Sequence, residues 1–306
     1  MTFDFYQAEV AEGQWQNDRR GMFRAVCNPH GDTPCCYGNQ CVDRTPDQCA
    51  CPDCIDIRRK LHANFARYVL EDEACSLKTY SPGDVCRVLE DMEIKFVGDS
   101  LIDQLYLSTL ILLKGGEEHI GVTDSSCLGP LLYYPLCREK VPHAVEGCND
   151  SVRVSMSYRG EASEGSEILD IVSSLTDKPR SVLVLGLGLH DDLNLTLITA
   201  HVLQPLLDLT ADTTWPKILF FTPMAPGLLK SPKFVNQNRD SVLYFNSAIK
   251  NLLTGPNMAV VATFRMTDDV ISYDGTHYGR ALGEVKAGLL VQMIERMKDS
   301  GWIKWS

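Results

Sequence analysis

Residues 93–113 read EIKFVGDSLIDQLYLSTLILL, and this stretch decides the fold. EIKFVG is a short apolar run that stops at a glycine, the pattern of a strand buried on both faces. LIDQLYLSTLILL follows at once, with apolar residues at most positions, and suits a largely buried helix. The segment is therefore a strand, a tight turn through Gly98 and Asp99, and a helix whose first turn carries Ser100.

The same alternation continues towards the C-terminus. VRVSMSYRG (152–160), SVLVLGLGL (181–189), KILFFTPMAP (217–226) and MAVVATF (258–264) read as further strands. SEILDIVSSL (166–175), SVLYFNSAIKNLL (241–253) and a final stretch over 279–298 read as helices. Apolar strands separated by helical patterns predict an α/β fold, a three-layer α/β/α sandwich around a central parallel sheet. In such a sheet the ligand site lies outside the carboxyl ends of the strands. Three polar segments fall there: Gly98-Asp99-Ser100, the stretch GLHDDLN (188–194), and YDGTH (273–277).

The 306 residues divide at about Met92: residues 1–91 form a cysteine-rich, irregular extension and residues 92–306 the α/β domain. Within the extension, an amphipathic stretch over 55–70 is the one helical signal. All 12 cysteines lie between Cys27 and Cys148. An even number, scattered in this way, points to disulfides and an oxidising compartment. Cys49, Cys51 and Cys54 form CxCxxC, a spacing that can also hold zinc. Residues 1–20 lack the apolar core of a signal peptide, so a signal or membrane anchor is expected upstream.

Hydrophobic residues make up 44% and charged residues 23%, the composition of a packed globular chain. A net charge of -11 argues against a nucleic-acid partner, which needs a basic face. No apolar run reaches the roughly 18 residues of a spanning helix.

A serine hydroxyl is a weak nucleophile until a base contacts it and donors face the oxyanion it creates. Ser100, at a helix N-terminus, has unpaired N–H groups and the positive dipole end beside it. His277 is the candidate base. Asp274, three residues before it, is close enough in a turn to fix the imidazole tautomer. Candidate oxyanion or substrate-binding groups are Gly98, Asp99, Arg159, Gly160, Gly188, His190 and Asn194. Asn149 and Asn194 head Asn-X-Ser/Thr sequons and are glycosylation candidates. Either feature alone is weak evidence, because Ser is a common helix cap and Asp-Gly a common turn. Their placement at the ends of successive strands is what joins them.

FVGDSLIDQLY and the later DGTH resemble the GDS and DxxH motifs of the PC-esterase branch of the GDSL/SGNH hydrolases. That branch includes plant trichome-birefringence-like polysaccharide O-acetyltransferases and animal neurexophilin-and-PC-esterase-domain proteins. GQW (13–15), the scattered cysteines and CSL (75–77) look like the cysteine-rich segment preceding GDS there. The resemblance implies Ser100 as nucleophile, Asp274 and His277 as the DxxH pair, and Gly186 to His190 as the glycine-histidine segment after a central strand. It further implies transfer or hydrolysis of an acetyl group on a carbohydrate hydroxyl, in the Golgi lumen or outside the cell. No bound cofactor or metal is expected; the acyl donor is a co-substrate, and the partner a carbohydrate or glycoconjugate. Alternatives are an acetylesterase with the same triad, and a catalytically silent relative that binds glycans or proteins. The chain departs from the family at Asp103, near where relatives carry an arginine, which bears on substrate identity.

Overall fold

The computed structural model describes residues 3–7, 27, 31–37, 40–52, 54–59, 61, 63, 66–70, 77–133, 135–227, 230–231, 233–272 and 274–302. Its centre is a six-stranded, mostly parallel sheet. The strands are β6 (Glu93–Gly98), β7 (Ala144–Gly147), β8 (Val152–Tyr158), β9 (Ser181–Gly186), β10 (Lys217–Phe221) and β11 (Met258–Val261), in the order β11-β10-β9-β6-β8-β7. Only the edge strand β7 runs antiparallel, returning to β8 through a turn at 148–150. All six residues of β9 and all five of β10 are buried, as parallel strands covered on both faces require.

Alternate side chains separate into two cores. Ile94, Phe96, Val182, Val184, Leu219 and Phe221 pack with Val85 and Leu89 of α1 (Pro82–Leu89), Leu105 and Tyr106 of α2 (Ser100–Lys114), and Leu290 and Val291 of α8 (Arg280–Asp299). On the other face, Val97, Leu183, Leu185, Ile218 and Phe220 meet Ile168 and Val172 of α4 (Gly165–Ser173) and Phe245 and Ile249 of α7 (Arg239–Leu252). The same core takes in Ile198 of α5 (Leu195–Ile198) and Leu206 of α6 (Gln204–Thr210). A π turn over Thr199–Leu203 joins those two helices. The expected α/β architecture is thus present, and α1, α3 (Pro135–Arg138) and β7 add to it.

The extension is stapled by disulfides. Cys27 bonds to Cys41, Cys35 to Cys49 and Cys51 to Cys54, around an antiparallel sheet of β2 (Cys35–Tyr37), β3 (Gln40–Val42) and β4 (Cys54–Asp56). The CxCxxC thiols are therefore spent in disulfides. Two more bonds lie in the α/β part: Cys86–Cys148 ties α1 to the β7–β8 turn, and Cys127–Cys137 closes the loop leading into α3. Cys36 is the one unpaired cysteine among the described residues, and Cys75 and GQW lie outside them.

Among the described residues of 55–70 the expected helix is not formed. Cys54–Asp56 extends the β2 ladder, Ile57–Arg59 makes one 3₁₀ turn, and β5 (Ala66–Leu70) pairs antiparallel with β1 (Phe3–Gln7). The end of that stretch is a strand, ARYVL, which carries the strand formers Tyr68 and Val69. Tyr68 packs with Leu101, Met224, Tyr278 and Leu282, so the extension lies against the residues following both Ser100 and His277. A backbone bridge from Leu61 to Val270 joins it to the same region. Among the described residues no helix is long and apolar enough to cross a membrane.

Candidate active site

Ser100 is placed by two glycines on neighbouring strands. Gly98 of β6 pairs in register with Gly186 of β9, leaving a notch in the sheet that Ile102 of α2 fills. A Cβ on Gly98 would strike Gly186 O and come within 2.6 Å of Ile102 Cγ1; one on Gly186 would come within 2.5 Å of Ile102 Cδ1. Gly98 also has φ 155°, a region L-residues rarely adopt. The notch lets α2 begin directly over the sheet. Asp99 caps it, its carboxylate accepting the Leu101 N–H at 2.9 Å while its carbonyl accepts those of Ile102 and Asp103.

His277 arrives from the loop before α8, across 177 residues of chain, and its Nε2 lies 2.6 Å from Ser100 Oγ. Its Nδ1 is 2.6 Å from Asp274 Oδ2. The turn holds itself together: Asp274 Oδ1 accepts the N–H groups of Thr276 at 2.8 Å and His277 at 2.7 Å. Lys230 Nζ donates to Thr276 Oγ1 at 2.7 Å, and Tyr278 OH donates to Ala225 O at 2.8 Å, anchoring the turn to the loop after β10. Burial alone would raise the Asp274 pKa. The hydrogen bond and charge of His277 and the two backbone N–H groups outweigh it, and the carboxyl sits below its ordinary value. Ser100, His277 and Asp274 thus form one unbroken hydrogen-bonded line.

The other expected groups divide. Gly160 lies against Asp99 and His190, and a Cβ there would be 3.2 Å from Asp99 Cβ and 3.4 Å from His190 Cδ2. Its N–H, however, donates to Glu164 Oε2 at 2.7 Å, part of a capping box, and is not free for an oxyanion. Arg159 turns to its own strand end, donating to Tyr158 O at 2.7 Å with Glu164 at 3.8 Å. His190 is exposed, its ring edge-on to Tyr158 at 6.3 Å. Gly188 has φ 137°, and a Cβ there would come within 3.0 Å of the Phe245 ring and 3.2 Å of Pro223 Cγ. Asn194 is exposed and its side chain accepts the Leu197 N–H, capping α5. Asn149 sits exposed in the β7–β8 turn, open to modification.

Arg138, Tyr158 and Lys286 of this region were absent from the sequence expectations, whereas Asp103 was named there. Asp103, one turn along α2 from Ser100, lies 2.8 Å from Arg138 Nε, and both side chains are largely buried. The carboxylate approaches off the N–H direction, so Arg138 Nε and Nη1 make no aligned hydrogen bond. Burial raises the Asp103 pKa and Arg138 opposes it. Arg138 thus reaches Asp103 of α2 from α3. Tyr158, 43% exposed, supplies an aromatic face at the rim. Lys286 of α8 is buried behind Asp99. Lys286 did carry a signal, a lysine in the apolar stripe Leu282, Lys286, Leu290; Arg138 carried none. The chain matches no model of a known protein family, and no curated protein matches it in sequence.

Proposed function

We propose that this chain is a serine-dependent acyl-transfer enzyme with an SGNH-type sandwich, acting on a carbohydrate hydroxyl as an O-acetyltransferase. The observation that carries the reading is the line Ser100 Oγ, His277 Nε2, His277 Nδ1, Asp274 Oδ2, with both heavy-atom distances 2.6 Å, at the N-terminus of α2. In this mechanism His277 Nε2 takes the Ser100 proton as Oγ attacks the acyl carbonyl. The backbone N–H at the start of α2 and the helix dipole stabilise the oxyanion. Collapse expels the donor's leaving group, which takes the proton from His277, and leaves an acyl ester on Ser100. His277 then takes the proton of the acceptor hydroxyl as its oxygen attacks that ester, and on collapse His277 returns the proton to the departing Ser100 Oγ. Asp274 holds the tautomer in which Nε2 can accept and offsets the imidazolium charge.

A sugar acceptor is supported by the open rim, where exposed Tyr158 and His190 offer ring faces. Five disulfides among the described residues support an oxidising compartment, the secretory lumen or the cell exterior. Transfer rather than hydrolysis rests on the family resemblance.

The test is incubation with p-nitrophenyl acetate, following p-nitrophenolate release and intact mass. An acetyl adduct that Ser100→Ala abolishes is the expected result; a folded parent with neither turnover nor adduct refutes the reading. Adding oligosaccharide acceptors then separates the two outcomes: acetylated glycan marks a transferase, acetate alone an esterase.

A further inference from the structure

Lys286 interrupts the buried stripe of α8 and is only 4% exposed. Among the described residues, its ammonium has one hydrogen-bond contact, Met224 Sδ at 3.8 Å, a weak acceptor. Asp99, 3% exposed, lines the same small cavity, and Thr222, Met224 and Thr263 are also on its wall. That cavity, about 10 Å³, has room for at most about one water, so little solvent screens the two charges from each other.

Burial lowers the Lys286 pKa to about 8 and raises that of Asp99. The Leu101 N–H works against the rise at Asp99, followed by His190, His277 and Lys286. An apolar side chain of similar length would be cheaper here than a buried ammonium, so stability is not what Lys286 supplies. It lines the same cavity as Asp99, the residue that caps α2 immediately before Ser100.

We propose that Lys286 is a positioning residue: buried with Asp99 on one small cavity, it holds the first turn of α2 so that Ser100 is presented in register with His277. The link is economical in chain terms, because Lys286 belongs to the helix that begins three residues after His277. The cavity they share therefore lies between the nucleophile's turn and the base's own segment. The proposal rests on the acyl-transfer reading.

Its test uses Lys286→Met, Asp99→Asn and their combination in the full chain. The readouts are kcat and KM with p-nitrophenyl acetate, thermal unfolding, and hydrogen exchange over residues 99–103. A folded K286M with its unfolding midpoint at or above the parent's, kcat down about 10- to 100-fold, KM unchanged and faster exchange at 99–103 is the expected result. The double variant should be no slower than D99N alone, since both changes remove one interaction. Unchanged kcat in K286M, effects that multiply in the double variant, or a K286M that does not fold each overturn the proposal. If the parent is inert, the acyl-transfer reading fails by itself. The exchange comparison, which needs no turnover, then decides whether Lys286 orders the Asp99 turn.

Discussion

Asp274→Asn separates geometry from tautomer. The Asp274 Oδ1 accepts two backbone N–H groups at 2.8 and 2.7 Å, and an asparagine carbonyl oxygen can keep both, so the turn should survive. The atom that replaces Oδ2, 2.6 Å from His277 Nδ1, becomes an NH₂ donor. It favours the tautomer with Nδ1 as acceptor, leaving the proton on Nε2, where it donates to Ser100 Oγ instead of accepting from it. Loss of a fully buried triad aspartate in this way costs about 10⁴ in kcat. Here the Asp274 side chain is 48% exposed, so water substitutes in part. The expected loss is about 10³ in kcat/KM, or about 4 kcal/mol of transition-state stabilisation. The assay is p-nitrophenyl acetate hydrolysis alongside thermal unfolding. A variant within tenfold of the parent, with the fold intact, would refute the role assigned to Asp274.

Arg138→Met should cost about 3–5 kcal/mol, by leaving Asp103 buried without its counter-charge, and Asp103→Leu on top should recover most of it; urea unfolding of the single and double variants checks this. Lys286 binds its proton more weakly folded, at a pKa near 8, than unfolded, at 10.5. The unfolded chain therefore holds the extra proton between those values, and stability rises as pH climbs through that window, by about 3 kcal/mol at most. That rise should be missing from Lys286→Met when denaturation is measured at pH 7 and again near 10.5. Replacing Cys86 and Cys148 by alanine opens a loop closed at a separation of 62 residues, which should lower stability by about 4 kcal/mol in calorimetry.

How much of this was legible beforehand follows the range of the interactions. The β6–α2 unit was readable because its signals are contiguous: an apolar run, a glycine with positive φ, a capping aspartate. The Asp274/His277 pair was readable for the same reason, since a three-residue turn brings the carboxylate to the imidazole without help from elsewhere. The stretch over 55–70 was misread because apolar spacing does not report which partner a segment will find, and here the partners were strands. Gly160 and Asn194 were named for chemistry they could perform, yet nearby backbone and carboxylate groups engage them first.

The sequence by itself determined the strand-turn-helix that presents Ser100, the alternation that builds a parallel sheet, and the oxidised character of the cysteine-rich part. Tertiary structure alone decided that Ser100 meets His277, that Arg138 answers Asp103, and that Lys286 lies behind Asp99. Those pairings bring together residues 177, 35 and 187 positions apart by the numbering, and no local pattern encodes them. They exist because the sheet order brings the ends of β6, β9 and β10 to one rim, and because burial makes each charge there depend on a partner from another element.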